Sequence, residues 1–246
     1  MISKGFLLGL CFFVAKISAQ NVTRSKRQDI CMNLNEVRTC YANYITLYGL
    51  LAQNVNGRPI LQRYELYDRL IKVTDLTTIC KNFDVLRGCL GGNEDLCITP
   101  NTMLQITSSP NDARDYLLDY SFFQSVCGIG KDVFLENQMC LSNAFAQGSL
   151  SNRIVQCGGS SSQDQQNQMM ICDRGIAAVG CVRDQFSQLC GIPSGKAVCS
   201  AAVNMARGLR EADVTCIQQM DFVCNSIAHL QYPLFTFALI FLFFKC

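Results

Sequence analysis

Five intervals between consecutive cysteines in this chain are nine residues long: Cys31 to Cys40, Cys80 to Cys89, Cys172 to Cys181, Cys181 to Cys190, and Cys190 to Cys199. In an unbroken helix nine residues rise ~13.5 Å and make about two and a half turns, so the two side chains face opposite ways. A disulfide needs Cα atoms within ~7 Å. Cysteines so spaced cannot pair inside one helix. Each must bridge to a different helix or close across a helix end. The spacing therefore predicts an all-α fold, a disulfide-rich stack of short amphipathic helices with no extensive sheet.

Sixteen cysteines are present, of which Cys11 and Cys246 lie in apolar terminal segments. Fourteen remain: Cys31, Cys40, Cys80, Cys89, Cys97, Cys127, Cys140, Cys157, Cys172, Cys181, Cys190, Cys199, Cys216 and Cys224. An even number in a secreted chain implies up to seven disulfides. Metal binding is the rival use of cysteine. It fits poorly, because no Cys-x-x-Cys pair occurs and the single histidine, His229, stands near the C-terminus.

Both ends carry processing signals. Residues 1–19 read as a signal peptide, with Lys4, an apolar run from Gly5 to Ala15, and the small-residue site Ile17-Ser18-Ala19. Arg24-Ser25-Lys26-Arg27 matches the site of furin-like convertases, whose carboxylate-lined clefts pair each substrate cation. Residues 20–27 then form a propeptide, and cleavage after Arg27 makes Gln28 the mature N-terminus. The glycosylation acceptor Asn21-Val22-Thr23 would leave with it. At the other end, Tyr232 to Phe244 is apolar and uncharged, too short to span a bilayer, for which ~20 residues are needed. Small residues precede it, so residues 227–246 read as the signal for a glycosylphosphatidylinositol (GPI) anchor attached at Ser226 or Asn225. A short membrane anchor or a self-packed last helix are the alternatives.

Six of the 21 cations lie outside residues 28 to 226, whereas all 19 acids lie within, giving this body a formal charge of −4. It contains no basic run, so nucleic acid and anionic membrane surfaces are poor partners.

Between the cysteines the apolar residues recur at three and four. Leu34, Val37, Tyr41, Tyr44, Tyr48 and Leu51 form one stripe. Gly57-Arg58-Pro59 interrupts the chain, and Pro59 suits the first turn of a helix carrying Leu61, Tyr64, Tyr67, Ile71 and Thr74. Gly91-Gly92 is a stop. Ser109-Pro110-Asn111-Asp112 is a helix start, with Tyr116, Tyr120, Phe123 and Cys127 on one face behind it. Phe134, Gln138, Leu141 and Phe145 suggest another helix. Residues 158–168 are a polar low-complexity connection between a cysteine-rich helical module at 28–157 and a second segment at 169–226. Eight of the fourteen cysteines precede it and six follow, so each side can close its own bridges. Further stripes comprise Cys172, Ile176, Val179, Phe186 and Cys190, ended by Gly191 and Pro193, then Val198, Ala201, Met205 and Leu209, and finally Val214, Ile217 and Cys224.

With only His229, a Ser-His-Asp triad, a Cys-His dyad and a histidine-ligated zinc centre are excluded. Glu94-Asp95 is the one acidic pair of note and reads as a solvated loop pair rather than catalytic carboxylates. No phosphate loop or dinucleotide fingerprint occurs, so no cofactor is expected.

Ile79-Cys80-Lys81-Asn82-Phe83-Asp84, followed by Cys89 and Cys97, and then Cys127-Gly128-Ile129-Gly130-Lys131-Asp132-Val133-Phe134, leading to Cys140 and Cys157, resemble the cysteine-rich domain of nematode chondroitin-proteoglycan-type secreted proteins. A related set of nematode secreted helical domains shares the layout. The resemblance covers residues 76–157 and implies a secreted matrix or surface protein. Chondroitin attachment requires Ser-Gly, and the one such dipeptide, Ser194-Gly195, is flanked by Pro193 and Lys196 rather than by acids. A serine at a helix start is the better reading of Ser194.

The expected function is that of a non-enzymatic, disulfide-rich protein outside the cell or on its surface, binding an extracellular protein or matrix component. A chondroitin-bearing structural component and a small-ligand or lipid carrier are the rival expectations.

Overall fold

Short polar side chains cap five of the ten helices described in the computed structural model, which describes residues 31, 33–51, 53–55, 58–60, 75–91, 94–107, 109–146, 157, 168–210 and 212–226. Asn33 accepts from the Glu36 N–H and donates to its carboxylate, a reciprocal cap on α1 (Leu34–Thr46). Asp75 accepts from the N–H groups of Thr77 and Thr78 at the start of α2 (Leu76–Leu90). These bonds, that from the Thr77 N–H foremost, hold its carboxyl below the usual aspartate range. A single turn, α3 (Glu94–Cys97), follows, then α4 (Pro100–Ile106), capped by Thr99. Ser109 caps α5 (Pro110–Val126) with Pro110 in the first turn, as the sequence predicts. The stack is completed by α6 (Lys131–Glu136), α7 (Gln138–Ala146), α8 (Gln168–Cys190), α9 (Ile192–Leu209) and α10 (Val214–Asn225). Gly191, at φ +87°, turns the chain between α8 and α9 where Gly191 and Pro193 mark a helix end in the sequence.

One expectation is corrected. Pro59 does not open a helix. It lies in β2 (Arg58–Ile60), which pairs antiparallel with β1 (Gln53–Val55) so that Pro59 stands opposite Asn54. A two-stranded ribbon is all edge, which is where a residue without an N–H is tolerated. The stripe from Leu61 to Thr74 lies outside the described residues. The hairpin aside, the described chain is all-α.

The core is organised around α5 and α9. On α5 every residue from Tyr116 to Phe123 is buried, because α2 and α4 cover one side and α9 the other. The expected single stripe through Tyr116, Tyr120 and Phe123 is thus half of an all-round buried surface. Tyr41, Phe83 and Tyr116 are among the largest fully buried side chains, and Tyr41 and Tyr116 meet edge to face with ring centroids 5.3 Å apart. On α9 the buried set includes Val198, Ala201, Met205 and Leu209, the four expected positions. Leu51 and Val214, also expected on apolar faces, are exposed: Leu51 lies beyond the end of α1 and Val214 is the first residue of α10.

All fourteen cysteines pair, and no pair nine apart is bonded. The bridges are Cys31–Cys97, Cys40–Cys89, Cys80–Cys127, Cys140–Cys190, Cys157–Cys181, Cys172–Cys216 and Cys199–Cys224, with Cα separations of 4.6 to 5.8 Å. The helix α8 shows why nine is the interval. Cys172 and Cys190 lie eighteen residues, or about five whole turns, apart and share one side, while Cys181 midway faces the other. Each reaches a different partner. The two sides of residues 158–168 do not close their own bridges: Cys140 and Cys157 bond to Cys190 and Cys181 across that stretch. A single buried cluster includes residues from both sides, with α9 packed along α5.

Candidate binding cleft

An open cleft of ≈ 660 Å³ lies where α2, α3, α5 and the C-terminal end of α9 converge. Its floor is a clasped carboxylate. Arg87 stands in the last turn of α2, the chain turns at Gly91, and α3 brings Glu94 back over it. Tyr120, from the middle of α5, donates to Glu94 Oε2 at 2.5 Å. Arg87 Nε lies 3.4 Å from Glu94 Oε1, an ion pair without hydrogen-bond alignment. Burial raises the Tyr120 phenol above its ordinary value, and the bond to Glu94 and its charge raise it further, while Arg87 opposes them. The phenol therefore remains a donor throughout the physiological range.

The second wall comes from α9. Arg207 donates to Asn204 Oδ1 and pairs with Asp221 of α10 at 2.6 Å. Arg210, the C-cap, adopts a left-handed conformation with φ 54° and donates from Nη2 to the main-chain oxygen of Asp95 at 2.6 Å. The walls can approach because Gly208 has no side chain: a Cβ there would stand 1.9 Å from Ser121 Oγ on α5. At the rim the turn after α5 carries Ile129, fully exposed, above Gln124 and Ser125. Behind this turn Cys127 is tied to Cys80 on α2. Three guanidinium groups, two carboxylates and several amide and hydroxyl groups line the opening. Such a wall suits a polar or mixed-charge group, with the arginines presenting fixed donor forks to carboxylate or carbonyl oxygens.

The structure revises the reading of the acidic pair. Glu94 and Asp95 are in a helical turn, not a loop, and Glu94 is only 19% exposed and held by two partners. Ser194 is also revised as a candidate for glycan attachment. It lies in the first turn of α9 with no exposed surface, and Gly195 beside it faces the backbone of α8, so the folded chain has no room for a sugar. Ser226 is the C-cap of α10; its Oγ accepts from Arg183 at 2.6 Å and donates to the Val223 carbonyl at 2.8 Å, while the Asn225 carbonyl accepts from Lys196 Nζ at 3.2 Å. Asn21, Arg27, Gln28 and His229 lie outside the described residues. Among the described residues no cluster of His, Cys, Asp and Glu is placed to hold a metal ion, and no helix is long and apolar enough to cross a membrane.

No protein-family model, curated protein or solved structure matches the chain.

The residues that shape the cleft were not singled out by the sequence as a site. Tyr120 is read there as a core stripe member, and Arg87, Arg207 and Arg210 belong to no motif. The available cue was arginine in the last turn of α2 and at the end of α9, where a cation favours the helix C-terminus.

Proposed function

We propose that this chain is a non-enzymatic secreted or cell-surface protein that receives an extracellular protein or matrix partner in the cleft of Arg87, Glu94 and Arg210. The observation that carries the reading is that the cleft is built from distant parts of the sequence and fixed by covalent ties, as with Cys80–Cys127 behind its rim. A site held this rigidly loses little ordering entropy when a partner binds. Seven disulfides are the economy of an oxidising, extracytoplasmic compartment, which supports the secretory signals. The likeness to nematode matrix-type domains points the same way. Of the rivals, a lipid carrier requires a closed apolar cavity, whereas this cleft is open and has three arginines and two acids among its lining residues. A chondroitin-bearing component would need an accessible Ser194.

In the same reading residues 1–19 direct secretion, cleavage after Arg27 leaves Gln28 first, and a glycolipid attached at Ser226 or Asn225 replaces residues 227–246. Phosphatidylinositol-specific phospholipase C then releases the protein from intact cells, and release that fails sinks the lipid anchor. The cleft is tested by affinity capture from extracellular fluid with the tagged protein, Ile129→Arg and Gln124→Trp. Both positions are exposed, so the fold tolerates them. Partners captured by the parent and lost by both variants support the reading; capture that is undiminished in both places binding elsewhere.

A further inference from the structure

One end of the helix stack collects features that no role described above uses. There α8 ends, α9 begins and α10 ends. Cys140 Sγ lies 3.3 Å from the Leu189 carbonyl and is bonded to Cys190, which brings α7 to the same place. Around this bridge Met139 is 73% exposed, Leu189 43% and Ile192 46%. One turn beyond Ile192, on the same side of α9, Lys196 reaches the Asn225 carbonyl. In the last turn of α10 Phe222 is 76% exposed. An exposed thioether and two aliphatic side chains near a lysine are costly in water and suited to an interface with an apolar interior and a polar boundary.

The exit of the chain lies at the same end and is pinned. Arg183, buried on α8, donates to the Val223 carbonyl and to Ser226 Oγ, closing the end of α10. Only residues 227–231 separate this fixed point from the uncharged apolar segment Tyr232–Phe244. Six peptide steps reach at most ~20 Å. With a glycolipid on Ser226 or Asn225 the attachment point is this fixed end itself, and with the tail left in place it lies within that reach, so in either form the bilayer is joined to this end of the stack.

We propose that the surface formed by Met139, Leu189, Ile192 and Lys196 rests against the headgroup region of a phospholipid bilayer, so that the protein stands on this end. The inference rests on the membrane attachment in the proposed function and deepens it. It also orients the cleft. The eighteen residues of α9 extend ~27 Å from Ile192 to the end that carries Arg207, which turns the cleft away from the membrane and towards soluble partners.

The chain contains no tryptophan, so a single introduced one is a clean reporter. Full-length protein produced in cells is reconstituted into phosphatidylcholine vesicles brominated on the upper acyl carbons, and flotation and tryptophan fluorescence are both read. Ile192→Trp and Met139→Trp serve as reporters at the proposed surface. Val214→Trp, exposed at the far end of α10, serves as control. The expected result is flotation of all three, with most of the fluorescence lost at positions 192 and 139 and none at 214. Flotation without quenching at 192 and 139, or with equal quenching at all three, overturns the proposed surface while leaving the anchor in place. Protein that does not float at all overturns both.

Discussion

Arg210 donates across 115 residues of chain to the main-chain oxygen of Asp95. The bond fastens the end of α9 to the turn that presents Glu94, and so joins the two walls of the cleft. Its geometry depends on a left-handed residue that is not glycine, a conformation costing of order 1 kcal/mol that the packed surroundings impose. The cleft is therefore part of the tertiary structure rather than a gap between loosely joined modules.

Gly208→Ala should loosen that junction. Its Cβ would meet Ser121 Oγ at 1.9 Å, and the clash must move α9 off α5 or turn the serine out of place. Overpacking of this kind costs ~1–3 kcal/mol, which for a chain of this length lowers the midpoint of thermal unfolding by roughly 2–4 °C per kcal/mol. Circular dichroism melts of the parent and the variant, with Ser121→Ala added to relieve part of the clash, measure it. A midpoint that does not move would mean that the helices are less closely set.

The native protein should carry no free thiol among its fourteen bridged cysteines. Labelling denatured, unreduced protein checks this, and proteolysis under the same conditions should yield linked peptides containing Cys140 with Cys190 and Cys157 with Cys181. The closed loops run from 24 to 66 residues, and in the chain-entropy account each bridge contributes about 3–4 kcal/mol. Peptides linking cysteines nine apart would contradict the fold.

Alkaline pH should unfold the protein through its tyrosines. Burial above all, with neighbouring acids and phenols adding to it, raises Tyr41, Tyr44 and Tyr120, and burial raises Tyr48. A raised folded-state value means that the unfolded chain ionises first. The stabilisation is complete below the ordinary tyrosine value of about 10 and is lost as pH climbs from there towards the folded values. Absorbance at 295 nm should show the phenols of Tyr41, Tyr44, Tyr48 and Tyr120 ionising only as the helical dichroism disappears. Complete titration near pH 10 with helix intact would refute the burial.

Ser194→Ala should leave stability unchanged or raise it by up to ~1 kcal/mol. The hydroxyl is buried without a hydrogen-bond partner, and an unsatisfied polar group costs more than the methyl that replaces it. Denaturant unfolding measures the effect. On the parent protein, chondroitinase should not alter electrophoretic mobility.

Much of this architecture can be read from spacing. Nine-residue intervals forbid pairing within a helix and leave cross-links between helices or closure across a helix end, and Cys172, Cys181 and Cys190 on α8 take the first course. Ser109-Pro110 marks a helix start because capping and fixed φ act locally. Pro59 misleads because an edge strand and a first helical turn tolerate proline alike, and only pairing with Asn54 distinguishes them. The cleft was illegible for a different reason. Tyr120, Arg87 and Arg210 are far apart in sequence, and each follows a bland local pattern. Only the packing of α9 along α5 brings them together.

The bridges Cys140–Cys190 and Cys157–Cys181 reach past the polar stretch 158–168, and this makes a peptide bond there expendable to the integrity of the particle. A protease cutting within it would produce two polypeptides that migrate as one until a reductant is added. The covalent graph, not the linear chain, would then hold the pieces in register. A nicked, two-chain form should keep the cleft, since none of the residues that line it belongs to that stretch.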